Sequence, residues 1–193
     1  MAHKSLEEII DICKRQGLAF EASADFSGAN SISAGESSKI IFITGSKPVI
    51  FYGRRLSFSG VGVNAYIYRD PVYTGGTPAT IEVNNANDIN PKTELSSFVI
   101  GATITDDGVL SRAPVYIYAN ESRQGKGLAL ESIDDPQLMP PNSVYLFVLE
   151  NRDQTSAQDF ASIVQFVEPD KIPGLVLDEN GNFVSYTGEE LLY

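Results

Sequence analysis

Three runs of alternating apolar residues lie in one continuous stretch, KIIFITGSKPVIFYGRRLSFSGVGVNAYIYRD, from Lys39 to Asp70. Each run is bounded by Gly, Ser, Pro or Asp, which are residues that favour turns. The last run alternates between two sets of residues, namely Val63, Ala65 and Ile67, and Asn64, Tyr66 and Tyr68. A period of two places such sets on opposite faces of a β-strand. The stretch therefore predicts three strands, each with one face turned to the core.

The same period continues on both sides of this stretch. Between Leu18 and Glu168 we count about eight or nine such runs and no convincing helix. The other runs are LAFEASADF, ATIEV, LSSFVIGATIT, PVYIYAN, SVYLFVLEN and FASIVQFVE. Many short strands at this spacing favour an antiparallel sandwich or barrel. We therefore predict an all-β protein with an antiparallel β-sandwich core over residues 18–169.

The N-terminal arm, residues 1–17, differs from the core because its apolar residues recur at helical spacing. Ser5 and Glu8 have the spacing of a capping box, and Gly17 is a natural helix stop. A short amphipathic helix is predicted from Leu6 to Gln16. Its apolar stripe consists of Leu6, Ile9, Ile10 and Cys13.

The C-terminal arm, residues 170–193, is predicted to form a β-hairpin. Its strands lie near Leu175–Leu177 and Phe183–Tyr186, and Asn180-Gly181 is a typical hairpin turn. A lone hairpin and a short helix are both marginally stable in water. Each arm therefore needs a surface to pack on, which is either its own sandwich or a neighbouring molecule.

Composition disfavours several classes of function. The chain has 193 residues with 25 acidic and 14 basic side chains, a net charge of −11. A surface of this sign repels phosphate, so nucleic-acid binding is not expected. No apolar run approaches the roughly 18 residues that span a bilayer, and the N-terminus lacks the apolar core of a signal peptide. We expect neither membrane insertion nor a secretory leader.

Histidine and cysteine are too few for most chemistry at neutral pH. One histidine, His3, and one cysteine, Cys13, cannot form a His/Cys zinc set, and every Ser-His or Cys-His pair would need His3. We expect no metal, no cofactor and no enzymatic activity. A carboxylate pair of the glycosidase kind stays open, because the sequence does not pair its candidates. These are Glu82, Asp88, Asp106, Asp107, Glu131, Asp134 and Asp135.

Two stretches resemble ligand loops and are interpreted as turns. Between Tyr68 and Asp88, the pair Gly75-Gly76 lacks the lysine of a phosphate loop and suits a bend with positive φ. The Asn/Asp run that follows it, and Asp178–Asn182, could supply calcium ligands. Both are equally typical of turns, so we predict a long bend at the first and the hairpin turn at the second.

Tyrosines cluster in neighbouring predicted strands. The set is Tyr66, Tyr68, Tyr73, Tyr116 and Tyr118. Aromatic residues favour strands, so the set is explained by the outer face of a sheet. The alternative is a shallow aromatic patch that binds a glycan, tested by changing Tyr66 or Tyr68 to Ala.

The region from Ser33 to Glu168 resembles structural proteins on the outside of tailed-bacteriophage virions. The similarity is carried by four phrases in order. They are ITGSKPVIFYGRRLSFSGVGVNAYIYRDPVYTGGTP, NPKTELSSFVIGATITDDG, ANESRQGKG and PPNSVYLFVLENRDQTSAQDFASIVQFVE. The arms before Gly17 and after Pro169 are not part of the resemblance, which leaves open a position on the head, the head-tail junction or the tail.

The resemblance implies a jelly-roll-like β-sandwich without catalytic residues. It implies a capsid decoration or cement protein, assembled in the host cytoplasm and placed on the outer surface of the virion. Its partners would be the major capsid protein or other virion proteins, and it would be a homo-oligomer, a dimer or trimer. The alternative is a tail or head-fibre module that binds a host glycan or receptor.

For the arms, we hypothesise contact with the capsid or a sister subunit, and the alternative is packing on their own sandwich. The predicted partner-binding residues are Leu6, Ile9, Ile10, Cys13, Leu175, Leu177, Phe183 and Tyr186.

Overall fold

The computed structural model describes residues 6–78, 82–87, 89–118, 127–172, 175–177 and 183–185. Within these residues the chain is all-β, with two packed antiparallel sheets and one short α-helix at the N-terminal end. The predicted antiparallel β-sandwich with an N-terminal helix is confirmed.

The helix α1 spans Leu6–Gln16, as predicted, and a 3₁₀ turn spans Gly28–Asn30. The strands are β1 (Ala19–Phe26), β2 (Ser37–Ile43), β3 (Val49–Phe58), β4 (Gly62–Arg69), β5 (Val72–Pro78), β6 (Glu82–Asn85), β7 (Ser97–Asp106), β8 (Val109–Leu110), β9 (Val115–Tyr118), β10 (Gly127–Met139), β11 (Val144–Asn151), β12 (Phe160–Val167), β13 (Leu175–Leu177) and β14 (Phe183–Ser185).

Eight of the described strands form four nested antiparallel pairs. They follow the path of one long hairpin that is folded so that its strands lie in two sheets. Strand β1 pairs with β12, β2 with β11, β3 with β10 and β4 with β9, all antiparallel, so that each pair encloses the next. Pairing of β3 with β12 and of β4 with β11 then joins these pairs side by side. The first sheet has the order β10-β3-β12-β1-β6. The second has the order β5-β7-β2-β11-β4-β8, with β9 also on β4.

Aromatic rings fill the space between the sheets. The ring centroid of Phe42 in the second sheet lies 4.9 Å from that of Phe98 and 5.6 Å from that of Phe166 in the first sheet. Phe51 and Phe147 face each other at 5.8 Å. These separations lie in the range favoured by aromatic pairs, which bury large areas and fix the spacing of the sheets.

The alternation that predicted β4 is also confirmed. Its apolar set is buried: Val63, Ala65 and Ile67. Their burial leaves the intervening polar and aromatic residues of this strand on the outer face of the second sheet.

Helix α1 covers the outer face of the first sheet. The side chains of Ile9, Ile10 and Cys13 are buried and pack against Ile50 and Val167. Leu6 lies at the margin of the same cluster. An amphipathic pattern shows that a face is covered and not which molecule covers it, and a contact of this stripe with a partner stays a prediction. Packing on the protein's own sandwich is observed.

The C-terminal arm forms the predicted pair of strands. Leu177 is the register partner of Phe183, and Leu175 is the partner of Ser185. The Leu175 side chain packs at the edge of the cluster beneath helix α1. The Asn180-Gly181 turn and Tyr186 lie outside the described residues, and the prediction of a partner contact by the hairpin stays a prediction.

Two asparagines that were considered as calcium ligands hold the end of helix α1. The side-chain amide of Asn87 donates to the carbonyl oxygens of Lys14 at 3.1 Å and Arg15 at 2.9 Å, and that of Asn85 donates to Gly17 at 2.7 Å. The last carbonyl groups of an α-helix have no partner inside the helix. The asparagines supply partners and attach the helix to β6.

The region from Tyr68 to Asp88 is more ordered than the predicted bend. Its described residues include the last two residues of β4 and the strands β5 and β6, so the interpretation as one long bend was wrong. The predicted positive φ is present, at +66° for Gly75 and +89° for Gly76. In the β5–β7 register Gly75 pairs with Ala102 and Thr77 with Ile100, so Gly76 lies level with Gly101, which has φ +66°. Glycines on both strands allow the two-stranded ribbon to kink sharply.

The kinked β5–β7 ribbon covers the outer face of the second sheet. Beyond Gly101, Ala102 and Ile104 pack against a buried apolar cluster of three residues, Ile41, Leu146 and Val148. The ribbon's end is held by an ion pair between Lys39 Nζ and Asp107 Oδ1 at 2.7 Å. Both sheets therefore have much of their outer face covered by the chain itself.

A buried amide network closes one end of the sandwich. Asn151 is fully buried, and its side-chain nitrogen donates to the carbonyl oxygens of Ile32, Ser33 and Ser156 at 2.9 to 3.0 Å. Gln158 donates to the Asn151 side-chain oxygen. Hydrogen bonds made by a buried side chain add to stability, so Asn151 holds two loop segments together, one at Ile32–Ser33 and one at Ser156.

We predict that Asn151→Ala lowers the free energy of unfolding by about 2–4 kcal/mol, because it removes three hydrogen bonds to loop carbonyl groups and takes the side-chain acceptor away from the buried amide of Gln158. Urea unfolding followed by tyrosine fluorescence measures the change. The control is Asn30→Ala, at an exposed position, for which a change within about 0.5 kcal/mol is expected. Equal effects of the two substitutions would contradict the structural role of Asn151.

A second prediction tests the docking of helix α1 through the thiol of Cys13. The side chain is 2% exposed and burial raises its pKa to about 11. Both effects slow its reaction with Ellman's reagent near neutral pH. We expect labelling at least about a hundredfold slower in the native protein than in concentrated urea.

Asn87→Ala should speed this labelling because it removes both hydrogen bonds to the helix end, whereas the exposed neighbour Asn90→Ala should not. Labelling of the native protein as fast as in urea would show instead that helix α1 is a detached arm.

Candidate functional site

The structure provides little for catalysis among its described residues. Among them, no group of three or more His, Cys, Asp or Glu side chains could hold a metal ion. Of the carboxyl groups in the described part of the chain, Asp153 and Asp170 have displaced pKa values. Hydrogen bonds from Thr155 lower the pKa of Asp153, and Lys47 lowers that of Asp170. A catalytic general acid needs the opposite shift.

The carboxylates considered for hydrolysis are not brought together as a described pair. Asp107 is paired with Lys39, and Asp106 accepts the backbone N–H of Gly108. Asp88 and the side chains of Glu82, Glu131, Asp134 and Asp135 lie outside what the structure describes. In the described part of the chain, no helix is long and apolar enough to cross a membrane.

Three strands of the second sheet place a polar and aromatic group on one outer surface. In register, Glu150 of β11 lies beside Asn64 of β4, which lies beside Tyr116 of β9. Two residues further along β9, on the same face of the sheet, Tyr118 is the partner of Gly62. We call this the tyrosine surface, and its members are Asn64, Tyr66, Tyr116, Tyr118, Glu150 and Arg152.

Hydrogen bonds join the polar members of the tyrosine surface into one chain. The carboxylate oxygen Oε2 of Glu150 accepts from the Tyr66 hydroxyl and from the Asn64 amide, both at 2.9 Å. The Asn64 side-chain oxygen accepts from Arg152 Nη1 at 2.8 Å. Charged partners make these bonds stronger than neutral ones and fix the side chains in place.

A glycine permits the remaining contact of the tyrosine surface. The Arg152 guanidinium lies 4.1 Å from the ring centroid of Tyr118, in cation–π geometry. Gly62 lies between them, and a Cβ there would come within 2.3 Å of the Ile117 carbonyl oxygen and 3.4 Å of Arg152 Cδ. Its φ of +152° also favours glycine. The absent side chain lets Arg152 reach across the strand.

The phenol of Tyr66 remains protonated over a wide pH range. Burial, followed by the hydrogen bond to Glu150 and the charge of that carboxylate, raises the pKa of Tyr66 to about 12. At neutral pH the hydroxyl is therefore a hydrogen-bond donor and not a base. The arrangement is suited to recognition, with donors, an acceptor and rings held in place.

The five clustered tyrosines divide into two groups. Tyr66, Tyr68 and Tyr73 pack against the cluster of Ile41, Leu146 and Val148 beneath the β5–β7 ribbon. Tyr116 and Tyr118 are 53% and 62% exposed. The exposed rings are thus those of β9. Tyr66, singled out from the sequence, contacts the Tyr116 ring edge-on at 6.4 Å between centroids and stacks on Tyr68 at 6.0 Å. Arg152 and Glu150 were missed, because their proximity depends on the pairing of β11 with β4.

A second exposed surface lies at the other end of β4. The register places Val109 beside Arg69 and Leu110 beside Tyr68, and Val72 follows directly at the start of β5. The exposed fractions of Val72, Val109 and Leu110 are 54%, 65% and 43%. We call these three residues the apolar corner. The only sequence signal for it was the Val-Leu pair after the Asp-Asp-Gly turn.

The far members of the tyrosine surface and of the apolar corner are well separated, although Leu110 pairs with Tyr68, two residues along β4 from Tyr66. Strand β4 extends from Gly62, beside Tyr118, to Arg69, beside Val109. Seven steps along an antiparallel strand cover roughly 23 Å at about 3.3 Å per residue. Two partners can therefore be contacted independently.

We predict that Glu150→Gln lowers the pKa of Tyr66 from about 12 toward its ordinary value near 10, because it removes a negative charge from the phenol. Tyrosinate absorbance as a function of pH measures the shift, and Tyr66→Phe identifies the transition. Exposed Glu36→Gln is the control.

The sign of the linked stability follows from the raised pKa. The folded protein holds the Tyr66 proton more tightly than the unfolded chain, so this contribution is present below about pH 10 and is lost as pH rises toward 12. An unchanged titration in Glu150→Gln would contradict the assigned contact.

Comparison with known proteins gives no identification: no family model, no curated protein and no solved structure matches the chain. The tyrosine surface and the apolar corner therefore carry the functional inference.

Proposed function

We propose that the protein is a structural component of a tailed-bacteriophage virion, a decoration or cement protein that binds the outside of the capsid and stabilises it. The main support for this proposal is the apolar corner, which has three aliphatic side chains, two of them more than half exposed. Aliphatic side chains exposed at one end of a sandwich give a partner apolar area to cover, and water is expelled when the partner covers it.

The strand order supports this proposal. We infer that the nested pairing of β1 with β12, β2 with β11, β3 with β10 and β4 with β9 is that of a jelly roll, which has eight strands in two sheets. The additional strands β5 to β8 form an insertion between β4 and β9. This insertion carries the apolar corner, so the proposed contact is an addition to the basic sandwich.

Charge and chemistry agree with an assembly role. A net charge of −11 keeps the free subunit soluble before it meets the capsid. The proposed partner is the major capsid protein or another virion protein. A homo-oligomer, dimer or trimer, would multiply weak contacts by avidity, which suits a small apolar corner.

Co-sedimentation of the purified protein with phage heads that lack it tests the proposal. We expect saturable binding at a fixed copy number per head. Val109→Ser combined with Leu110→Ser should weaken binding at least about tenfold, because polar hydroxyls replace exposed aliphatic groups at the contact. The matched control is Ile89→Ser, which changes an aliphatic side chain that is 97% exposed and far from the corner.

Absence of any binding to heads would contradict capsid decoration. Equal loss of binding in the double variant and in Ile89→Ser would contradict the assignment of the contact to the apolar corner.

The second candidate is a tail or head-fibre module that binds a host glycan. The tyrosine surface favours it, because exposed rings and fixed hydrogen-bonding groups lie side by side there. Binding of the protein to host cells and not to heads would support this location.

A further inference from the structure

The tyrosine surface has a rigid aromatic platform. Tyr118 is 62% exposed, and the Arg152 guanidinium is stacked against its ring. Arg152 is itself held by the Asn64 side chain, and Gly62 leaves the space through which it passes. A ring that is held in place before binding loses little conformational entropy when a ligand stacks on it. The contacts therefore prepare Tyr118 to receive a flat apolar group.

Hydrogen-bonding capacity remains beside this platform. Within the described residues, both hydrogen bonds to Glu150 fall on Oε2, so Oε1 can accept from a ligand. Arg152 uses Nη1 for Asn64, and a guanidinium has five N–H groups. The donors of Arg152 thus lie against the exposed ring of Tyr118, and the Glu150 acceptor lies on the same outer face, across β4 from β9.

This combination is complementary to a sugar. One face of a hexopyranose ring presents C–H groups, which stack on an aromatic ring, and its edge presents hydroxyls that donate and accept hydrogen bonds. The Glu150 carboxylate and the net charge of −11 repel acidic sugars. The site is also flat, so it suits a unit within a longer chain that passes over the surface.

A protein partner fits this surface less well. The buried centre of a protein interface is depleted in charged residues, and here two charged residues, Glu150 and Arg152, belong to the group. Burying both charges under apolar side chains would carry a large desolvation cost, whereas hydroxyls solvate them.

We propose that the tyrosine surface is a binding site for a neutral hexose polysaccharide, with one sugar ring stacked on Tyr118 and its hydroxyls bound by Glu150 and Arg152. The inference deepens the second candidate function by naming its site and ligand class. It is independent of capsid attachment, because the apolar corner lies at the opposite end of β4.

Affinity electrophoresis of the full chain tests the site. Gels contain soluble mannan, galactan or β-glucan, with polygalacturonic acid as the acidic comparison. We expect at least one neutral polysaccharide to retard the protein, and polygalacturonic acid not to retard it. Tyr118→Ala should weaken retardation at least about tenfold, and Tyr118→Phe should retain most of it, because the ring and not the hydroxyl makes the stacking contact.

Two controls keep a loss of binding separate from a loss of structure. The Val109→Ser and Leu110→Ser double variant should be retarded like the unchanged protein. Thermal unfolding of Tyr118→Ala should match that of Tyr118→Phe, since the side chain is mostly exposed.

The opposing outcomes separate this proposal from capsid decoration. No retardation by any neutral polysaccharide, or equal retardation of Tyr118→Ala, would overturn the glycan site while leaving head co-sedimentation unaffected. Loss of head binding in Tyr118→Ala would also overturn it, since the tyrosine surface would then be a protein interface.

Discussion

Apolar side chains on the outer faces of both sheets have to be removed from water, and this requirement determines how the rest of the chain is arranged. A two-sheet sandwich buries only its inner faces. Here Ile50 and Val167 lie on one outer face, and Ile41, Leu146 and Val148 lie on the other. Helix α1 covers the first group and the kinked β5–β7 ribbon covers the second. The arm and the long insertion are therefore structural parts of the fold. Among the described residues, the tyrosine surface and the apolar corner stay exposed toward the two ends of β4.

Local sequence patterns predicted the elements well. The period of two in residues 63–68 and the capping signals around helix α1 depend on neighbours a few positions away, so they can be read without a structure. The cover of the outer faces could not be predicted this way. The apolar stripe with Cys13 showed that a surface was needed, but Ile50 and Val167 are distant in the sequence. For the same reason, Asn85 and Asn87 resembled turn or metal residues until their amides were found on the carbonyl groups of the helix end.

The candidate site was predictable only in part. Aromatic residues on alternate positions indicated a tyrosine-bearing face, and the more exposed members of the predicted set are Tyr116 and Tyr118, whereas the substitutions chosen from the sequence were at Tyr66 and Tyr68. The exposure of each tyrosine depends on the β5–β7 ribbon, which covers Tyr66 and Tyr68. The ribbon has positive-φ glycines on both strands, Gly75 and Gly76 on one and the distant Gly101 on the other. Arg152 and Glu150 enter the site through the pairing of β11 with β4. In the sequence, Gly62 indicated a turn. In the structure, its missing side chain leaves the space through which Arg152 reaches Tyr118.

The nested strand order explains why two contact surfaces can coexist in so small a protein. In a folded hairpin, turns alternate between the two ends of the sandwich, so consecutive connections lie at opposite ends. The insertion after β4 therefore leaves the sandwich at the end where Val72 and Val109 lie, and β9 returns the chain to the end where Tyr118 lies. Substitutions roughly 23 Å apart with no shared partners act additively as a rule. A subunit seated on a capsid through the apolar corner would therefore hold the tyrosine surface away from the capsid, facing outward.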